Sequence, residues 1–244
     1  MRRGRVGATL LALVLGVGLC DAAMAQDVTL SLGGEGGQLS STAIGLFALL
    51  TVLSVVPGLA IMVTCFPMIV TVLSILRQAI GLQQAPPNML IVSLAMFLSY
   101  FVMEPVFQDA YAQGVAPYLA GEAGLSESFA PTYAPFRRFM AARVDGDVLA
   151  RMEHLRGETG AAAEVSPGVL IPSFLLSEIQ RAFQIGFLVF LPFMIIDLIV
   201  AAVLMSMGMM MVPPAIVSLP FKLAFFVIAD GWSLIAEALV KGYL

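Results

Sequence analysis

The chain has 244 residues, 60% of them apolar and only 11% charged, with a formal net charge of −4. Soluble domains carry about a quarter charged residues, so this composition points to a membrane-associated protein. Its mild acidity gives no electrostatic grip on phosphate and excludes nucleic acid as a partner, and two cysteines exclude a disulfide-built scaffold.

Arg2, Arg3 and Arg5 precede an apolar stretch from Ala8 to Leu19, and Ala23-Met24-Ala25 meets the small-x-small rule for signal peptidase. Residues 1–25 therefore read as a signal peptide, with Ala23 and Ala25 as the cleavage residues. A lipoprotein reading through Cys20 fits less well, because Leu19 stands where a small residue is wanted. Cleavage removes three of the 12 basic residues and Asp21 of the 16 acids, leaving nine against 15. It also leaves Cys65 as the lone cysteine. His154, the only histidine, stands in the polar run RMEHLRGE with no second ligand at metal spacing. No metal or other cofactor is expected.

Residues 26–42 read as a flexible exported leader, with four glycines around Glu35 but no strand before them and no Lys-Ser/Thr pair after them. From Ala43 to Leu76 the chain is uncharged, a length of about 51 Å as one helix against an apolar bilayer core of about 30 Å. Pro57 and Pro67 divide it, and Pro57-Gly58 is the expected break. Pro86-Pro87-Asn88 marks a new helix start. The apolar run Met89–Met103 is short for a crossing and is expected to end at Glu104-Pro105, closing an N-terminal apolar region over 43–105.

Residues 106–169 change character and hold a concentration of Arg, Asp and Glu. Helical spacing in Phe136–Met152 and loop signals at Ala130-Pro131, Asp145-Gly146 and Gly157–Gly160 predict a soluble helical insert. With a cleaved signal peptide the mature N-terminus lies outside the cytoplasm, and two apolar units then place the insert in the periplasm. The arginines of the insert oppose this by the positive-inside rule, from which long translocated segments largely escape.

The C-terminal region, 170–244, is expected to begin with a helix through Phe174–Phe190, kinked at Pro192 and stopped at Pro213-Pro214. Asp197 sits mid-way along its apolar run, where an unsatisfied carboxylate costs about 2.5–3.5 kcal/mol on insertion scales. Five of the seven residues Met205–Met211 are methionine. In the last stretch Lys222, Asp230 and Glu237 fall within about 80° on one helix, a single polar stripe. The acids of 183–244 outnumber its lysines, which predicts at least one buried acid without a local partner.

Catalysis finds little support. Asp197 and Asp230 suggest an intramembrane aspartyl pair only in outline, and no Ser-His or Cys-His set is available near the membrane. The methionines admit three readings: core filler, thioether coordination of copper(I) in an accessible strand, or a soft constriction whose unbranched side chains reshape around cargo while excluding ions. An apolar, buried setting favours filler or constriction over copper.

Pro172-Ser173-Phe174-Leu175-Leu176-Ser177-Glu178-Ile179-Gln180-Arg181-Ala182-Phe183-Gln184-Ile185-Gly186-Phe187 resembles a signature of the FliP family of bacterial flagellar export proteins. Leu191-Pro192-Phe193-Met194-Ile195-Ile196-Asp197-Leu198, the Met205–Met211 run, Pro213, Ser218-Leu219-Pro220-Phe221-Lys222 and Asp230-Gly231-Trp232 resemble a second. The likeness is dense over 170–233, and 106–169 carries little of it. It implies an all-α fold of membrane-associated helical hairpins that assemble into a multi-subunit cone, with the helical insert in the periplasm.

By this resemblance the chain is a non-enzymatic, channel-forming subunit of the flagellar type III export gate, in the bacterial inner membrane at the flagellar basal body. It would form a homo-oligomer with FliQ- and FliR-like subunits, meet FlhA- and FlhB-like export components and the basal-body membrane ring, and pass unfolded flagellar proteins. Met209, Met210 and Met211 would form a pore gasket. Glu178, Asp197, Lys222 and Asp230 would be buried polar positions serving assembly. The similar subunit of a virulence injectisome is the alternative within the family. A secondary transporter is the alternative outside it, and predicts an internal repeat that the sequence lacks.

Overall fold

The computed structural model describes residues 38–82, 85–157 and 165–243, and every regular element among them is helical. Ala23, Ala25 and residues 26–37 of the expected leader lie outside the described residues. The chain divides into two compact units, Met1–Leu53 and Ser54–Leu244. In the first unit the described part is the opening of helix α1 (Gln38–Met62), so residues 38–42 are already helical. Its apolar side chains Ile44, Phe47, Leu49, Leu50 and Leu53 are exposed.

In the second unit α1 ends at Met62 and α2 occupies Phe66–Ile80. The break falls at residues 63–65 rather than at Pro57-Gly58. Thr64 makes the turn: its hydroxyl donates to the Ile61 carbonyl at 2.8 Å and accepts from the Phe66 amide at 3.3 Å. Pro67 stands at the start of α2, where its missing N–H has no helical acceptor to lose. One face of α2, with Met68, Ile69, Val72, Leu73, Leu76 and Ile80, is buried and forms the centre of the core.

Helix α3 (Asn88–Ala110) runs through Glu104-Pro105 instead of stopping there. Val102, Met103 and Ala110 are buried on either side of the proline, and that burial offsets the roughly 3 kcal/mol an interior proline costs. A π-helical turn, Tyr111–Val115, joins α3 to the short α4 (Ala116–Leu119). The expected insert continues as α5 (Leu125–Ala141), which contains Pro131 and Pro135, and α6 (Gly146–Arg156).

The loop signal at Asp145-Gly146 falls at the start of α6, where Asp145 is the N-cap: its carboxylate accepts from the Asp147 and Val148 amides at 3.0 and 3.1 Å. Asp145→Ala is expected to lower unfolding stability by about 1 kcal/mol, read as a fall in the thermal midpoint. An unchanged midpoint would show that the corner between α5 and α6 is held by other contacts.

Helix α7 (Pro167–Ser206) is 40 residues long and unbroken, with Pro172 and Pro192 inside it. It packs along α2, and α5, α6 and α8 rest on other parts of it. The expected single C-terminal helix is two, α8 (Pro214–Ile228) and α9 (Gly231–Lys241), bent by 61°. Asp230 forms the elbow with a left-handed backbone, φ 47°, so the predicted polar stripe does not exist: Lys222 and Glu237 lie on different helices. Among the described residues, three helical stretches suffice by length and composition to cross a membrane, Ile44–Met62, Asn88–Leu119 and Pro167–Ser206, or four if the bent α8–α9 pair counts as one span.

Candidate functional site

Helix α7 carries both of the expected acids of this region. Glu178 and Asp197 are 19 residues apart, about 28 Å along a helix, so the structure keeps them in separate clusters.

At Asp197, α7 meets α8 and the end of α2. Ser218 and Lys222 stand four apart on one face of α8. The Lys222 ammonium donates to Asp197 Oδ2 at 2.6 Å and to the Ala79 carbonyl at 3.0 Å. Ser218 donates to Asp197 Oδ1 at 2.6 Å. Ala79 lies in the last turn of α2, where carbonyls lack helical partners and the helix dipole is negative. The lysine thus ties three helices together and matches the charge of two acceptors. Its side chain is 7% exposed and that of Asp197 36%.

This placement answers the expectation of an unpartnered buried acid. Asp197 has Lys222, Glu237 pairs with Lys241 at 2.6 Å on the surface, and Asp230 is exposed at the elbow. Asp197 and Asp230 also occupy unlike settings, one in an ion pair and one at a turn, which gives no basis for a shared-proton pair.

Nine residues beyond Asp197, α7 ends in the methionine segment. The Gly208 amide donates to the Met205 carbonyl and the Met209 amide to the Leu204 carbonyl, both at 3.0 Å. This is a Schellman cap, and it needs a residue with φ near +60°; Gly208, at φ 77°, supplies it without a Cβ penalty. The chain then turns to Pro213 and starts α8. Met210 and Met211 are 83% and 97% exposed, and Met205, Met207 and Met209 are exposed too. In this single chain the methionines are therefore not buried filler. An apolar cleft of about 410 Å³ between α7 and α8, lined by Val200, Val203, Met207, Val217 and Phe221 among others, adjoins the loop.

The second cluster surrounds Glu178, which is fully buried. Its Oε1 accepts from Arg181 Nη1 at 3.2 Å, and its Oε2 accepts from the Tyr243 hydroxyl. Arg143, from the corner between α5 and α6, lies over the Tyr243 ring at 4.0 Å and donates to the Gly242 and Tyr243 carbonyls at 3.0 and 2.6 Å. Burial, and then the neighbouring Glu178, push the Tyr243 phenol above its ordinary range, so it remains a donor. Burial lowers the Arg143 guanidinium, with Tyr243 and Glu178 opposing that shift.

Sequence reasoning assigned no part to Ser218, Arg143, Arg181, Tyr243 or the Ala79 carbonyl. Ser218 could have been found from its spacing to Lys222. Tyr243, 65 residues from Glu178, had no signal.

Comparison with known proteins agrees with this architecture. The FliP family model matches residues 49–239, which take in the Asp197–Lys222 cluster, the methionine loop and Glu178 with Arg143 and Arg181, and stop short of Tyr243. Flagellar biosynthetic protein FliP of Caulobacter vibrioides is 47% identical over 246 residues, covering 100% of this chain and 92% of the relative. The protein of that name from Rhizobium meliloti is 45% identical over 212 residues, 85% of this chain and 86% of the relative. That from Bacillus subtilis is 40% identical over 205 residues, 83% and 93%. Likeness of this extent includes the α3–α6 region that carries few signature residues, and the chain belongs to the FliP family.

Proposed function

We propose that this chain is a channel-forming subunit of the flagellar type III protein export gate in the bacterial inner membrane. Several copies would assemble into a cone with FliQ- and FliR-like subunits. FlhA- and FlhB-like components and the basal-body membrane ring would be its neighbours, and unfolded flagellar proteins its cargo. The observation that carries the reading is the methionine loop: five methionines turned outward at the end of a 40-residue helix whose neighbouring turns are fixed by the Asp197–Lys222 pair.

Exposed thioether side chains on a tightly capped turn are costly for a lone chain. In a ring they would face one another across the axis, where flexible, polarizable groups conform to an irregular chain and still exclude ions. Two further points support assembly. Phe183, Phe187, Leu188, Ile195, Leu198 and Ile199 on α7 and Ile216, Phe221, Val227 and Ile228 on α8 are exposed, more apolar surface than an isolated protein carries without a partner or lipid. The relatives named above are flagellar biosynthetic proteins. Residues 106–169, richer in charge than the rest, would lie in the periplasm. The reading assigns the chain no catalytic step.

Electron microscopy of the tagged chain, purified after coexpression with the neighbouring membrane proteins, tests the assembly. A closed cone with Met209, Met210 and Met211 at its narrowest level is expected. A monomer with a central pocket would overturn the proposal. Replacing all three methionines with alanine is expected to raise ion conductance of the membrane while leaving complex yield unchanged. Unaltered conductance in an assembled complex would remove the gasket role.

A further inference from the structure

We propose that Gly242–Tyr243 is a clasp that fastens α9 as a separable strap to α7 and to the corner between α5 and α6, the strap swinging about the Asp230 elbow. The inference goes beyond the gate reading and holds whatever the chain conveys.

Helix α9 has 11 residues, fewer than the 12–15 or so at which even good helix formers persist alone in water. Ser233, Leu234, Glu237, Ala238 and Lys241 are exposed, and Leu239 is its one large buried side chain. Ile235 and Val240 add only partial packing against the core, so much of its order comes from its two ends. At the elbow Trp232 sets its ring edge-on to Phe226 at 5.4 Å. At the far end Tyr243, one turn beyond Leu239, enters a receptor built by other elements.

That receptor grips with directional bonds. Arg143 donates to the two carbonyls just past the end of α9, at 3.0 and 2.6 Å, where a helix leaves its last acceptors unpaired and a cation complements the dipole. The same guanidinium covers the Tyr243 ring at 4.0 Å, and Phe139 stacks on that ring at 6.1 Å. The phenol hydroxyl closes the set by donating to Glu178. Arg181 holds the receptor in shape, bonding Glu178 Oε1 at 3.2 Å and the Arg143 carbonyl at 3.4 Å.

The arrangement behaves as a unit because its members depend on one another. If Tyr243 leaves, Arg143 loses two acceptors and a ring, and one oxygen of a fully buried carboxylate loses its donor. Opening is then all-or-none at this end, and the elbow is the next flexible point. Since α8 bears Ser218 and Lys222 and continues through the elbow into α9, the clasp links the α5–α6 corner mechanically to the arm that holds Asp197.

Hydrogen exchange read by mass spectrometry on the detergent-solubilised full chain tests this, and requires neither ring assembly nor export. Tyr243→Phe removes one hydroxyl, and Arg143→Leu removes the guanidinium. In each, amides of residues 235–243 are expected to exchange about tenfold faster, while peptides from α2 and the Asp197 region of α7 keep their rates. Unchanged exchange over 235–243 in both variants would show the contacts to be incidental and overturn the clasp. Equal acceleration throughout α2 and α7 would make Tyr243 an ordinary core residue and overturn the separable strap.

Discussion

Asp197→Leu is expected to destabilise the protein by about 3–5 kcal/mol, because it leaves the Lys222 ammonium buried with one carbonyl and no counter-charge. Lys222→Met is expected to cost less, about 1–3 kcal/mol. The asymmetry follows from burial: the lysine side chain is 7% exposed and the aspartate 36%, and an abandoned Asp197 keeps Ser218 as a donor. The double variant Asp197→Leu/Lys222→Met removes both charges and is expected to recover most of the first loss, leaving the Ala79 carbonyl to its ordinary unpaired state at a helix end. Against a total stability of about 5–15 kcal/mol, the single aspartate variant should also reduce the yield of folded protein. Thermal unfolding in detergent measures the series. Equal losses for both single variants, or a double variant worse than Asp197→Leu, would show that the pair does not act as a buried ion pair.

What the sequence disclosed and what it hid follow from the same physics. A local rule worked in part where a residue acts on its own backbone neighbours: the loop signal at Asp145-Gly146 falls at the cap of α6, and Pro67, one of the two prolines expected to divide the first apolar run, opens α2. It failed where packing across helices decides. Pro105 and Pro131, expected to end a helix and to mark a loop, both lie inside helices, since packing around a proline outweighs its lost hydrogen bond. Arithmetic at 100° per residue placed Lys222, Asp230 and Glu237 on one stripe, and a single left-handed residue at Asp230 undid it. Asp197 was legible as an acid needing a partner, and the signature Ser218–Lys222 held that partner. Its third helix was not legible, because a main-chain carbonyl such as that of Ala79 leaves no trace in side-chain pattern. The same holds for Tyr243, which reaches Glu178 from 65 positions away and from a segment without signature residues, whereas the other partner, Arg181, stands three residues on within the signature.

Gly114→Ala is the second substitution expected to have a large effect, about 3 kcal/mol of lost stability. The π-helical turn at Tyr111–Val115 brings this glycine against α5. A Cβ there would lie 2.0 Å from Thr132 Oγ1, 2.6 Å from the Thr132 amide nitrogen and 2.9 Å from the Ser128 carbonyl oxygen. Rotation of Thr132 relieves only the first of these, and the hydroxyl is itself bonded to Ser128 at 2.7 Å. The other two are main-chain atoms, so α5 as a whole must retreat. One turn further along α5, Phe136 meets Phe107 edge-on at 5.8 Å, and a retreat of even half an ångström loosens that contact and the dispersion it supplies. The extra residue of the π turn thus serves to set a position without a side chain where two helices cross. Gly146→Ala provides the control: its Cβ would meet nothing within 4 Å, and the change is expected to stay within about 0.5 kcal/mol. Comparable thermal midpoints for the two variants would show that α5 can shift freely, and would remove the packing role of the turn.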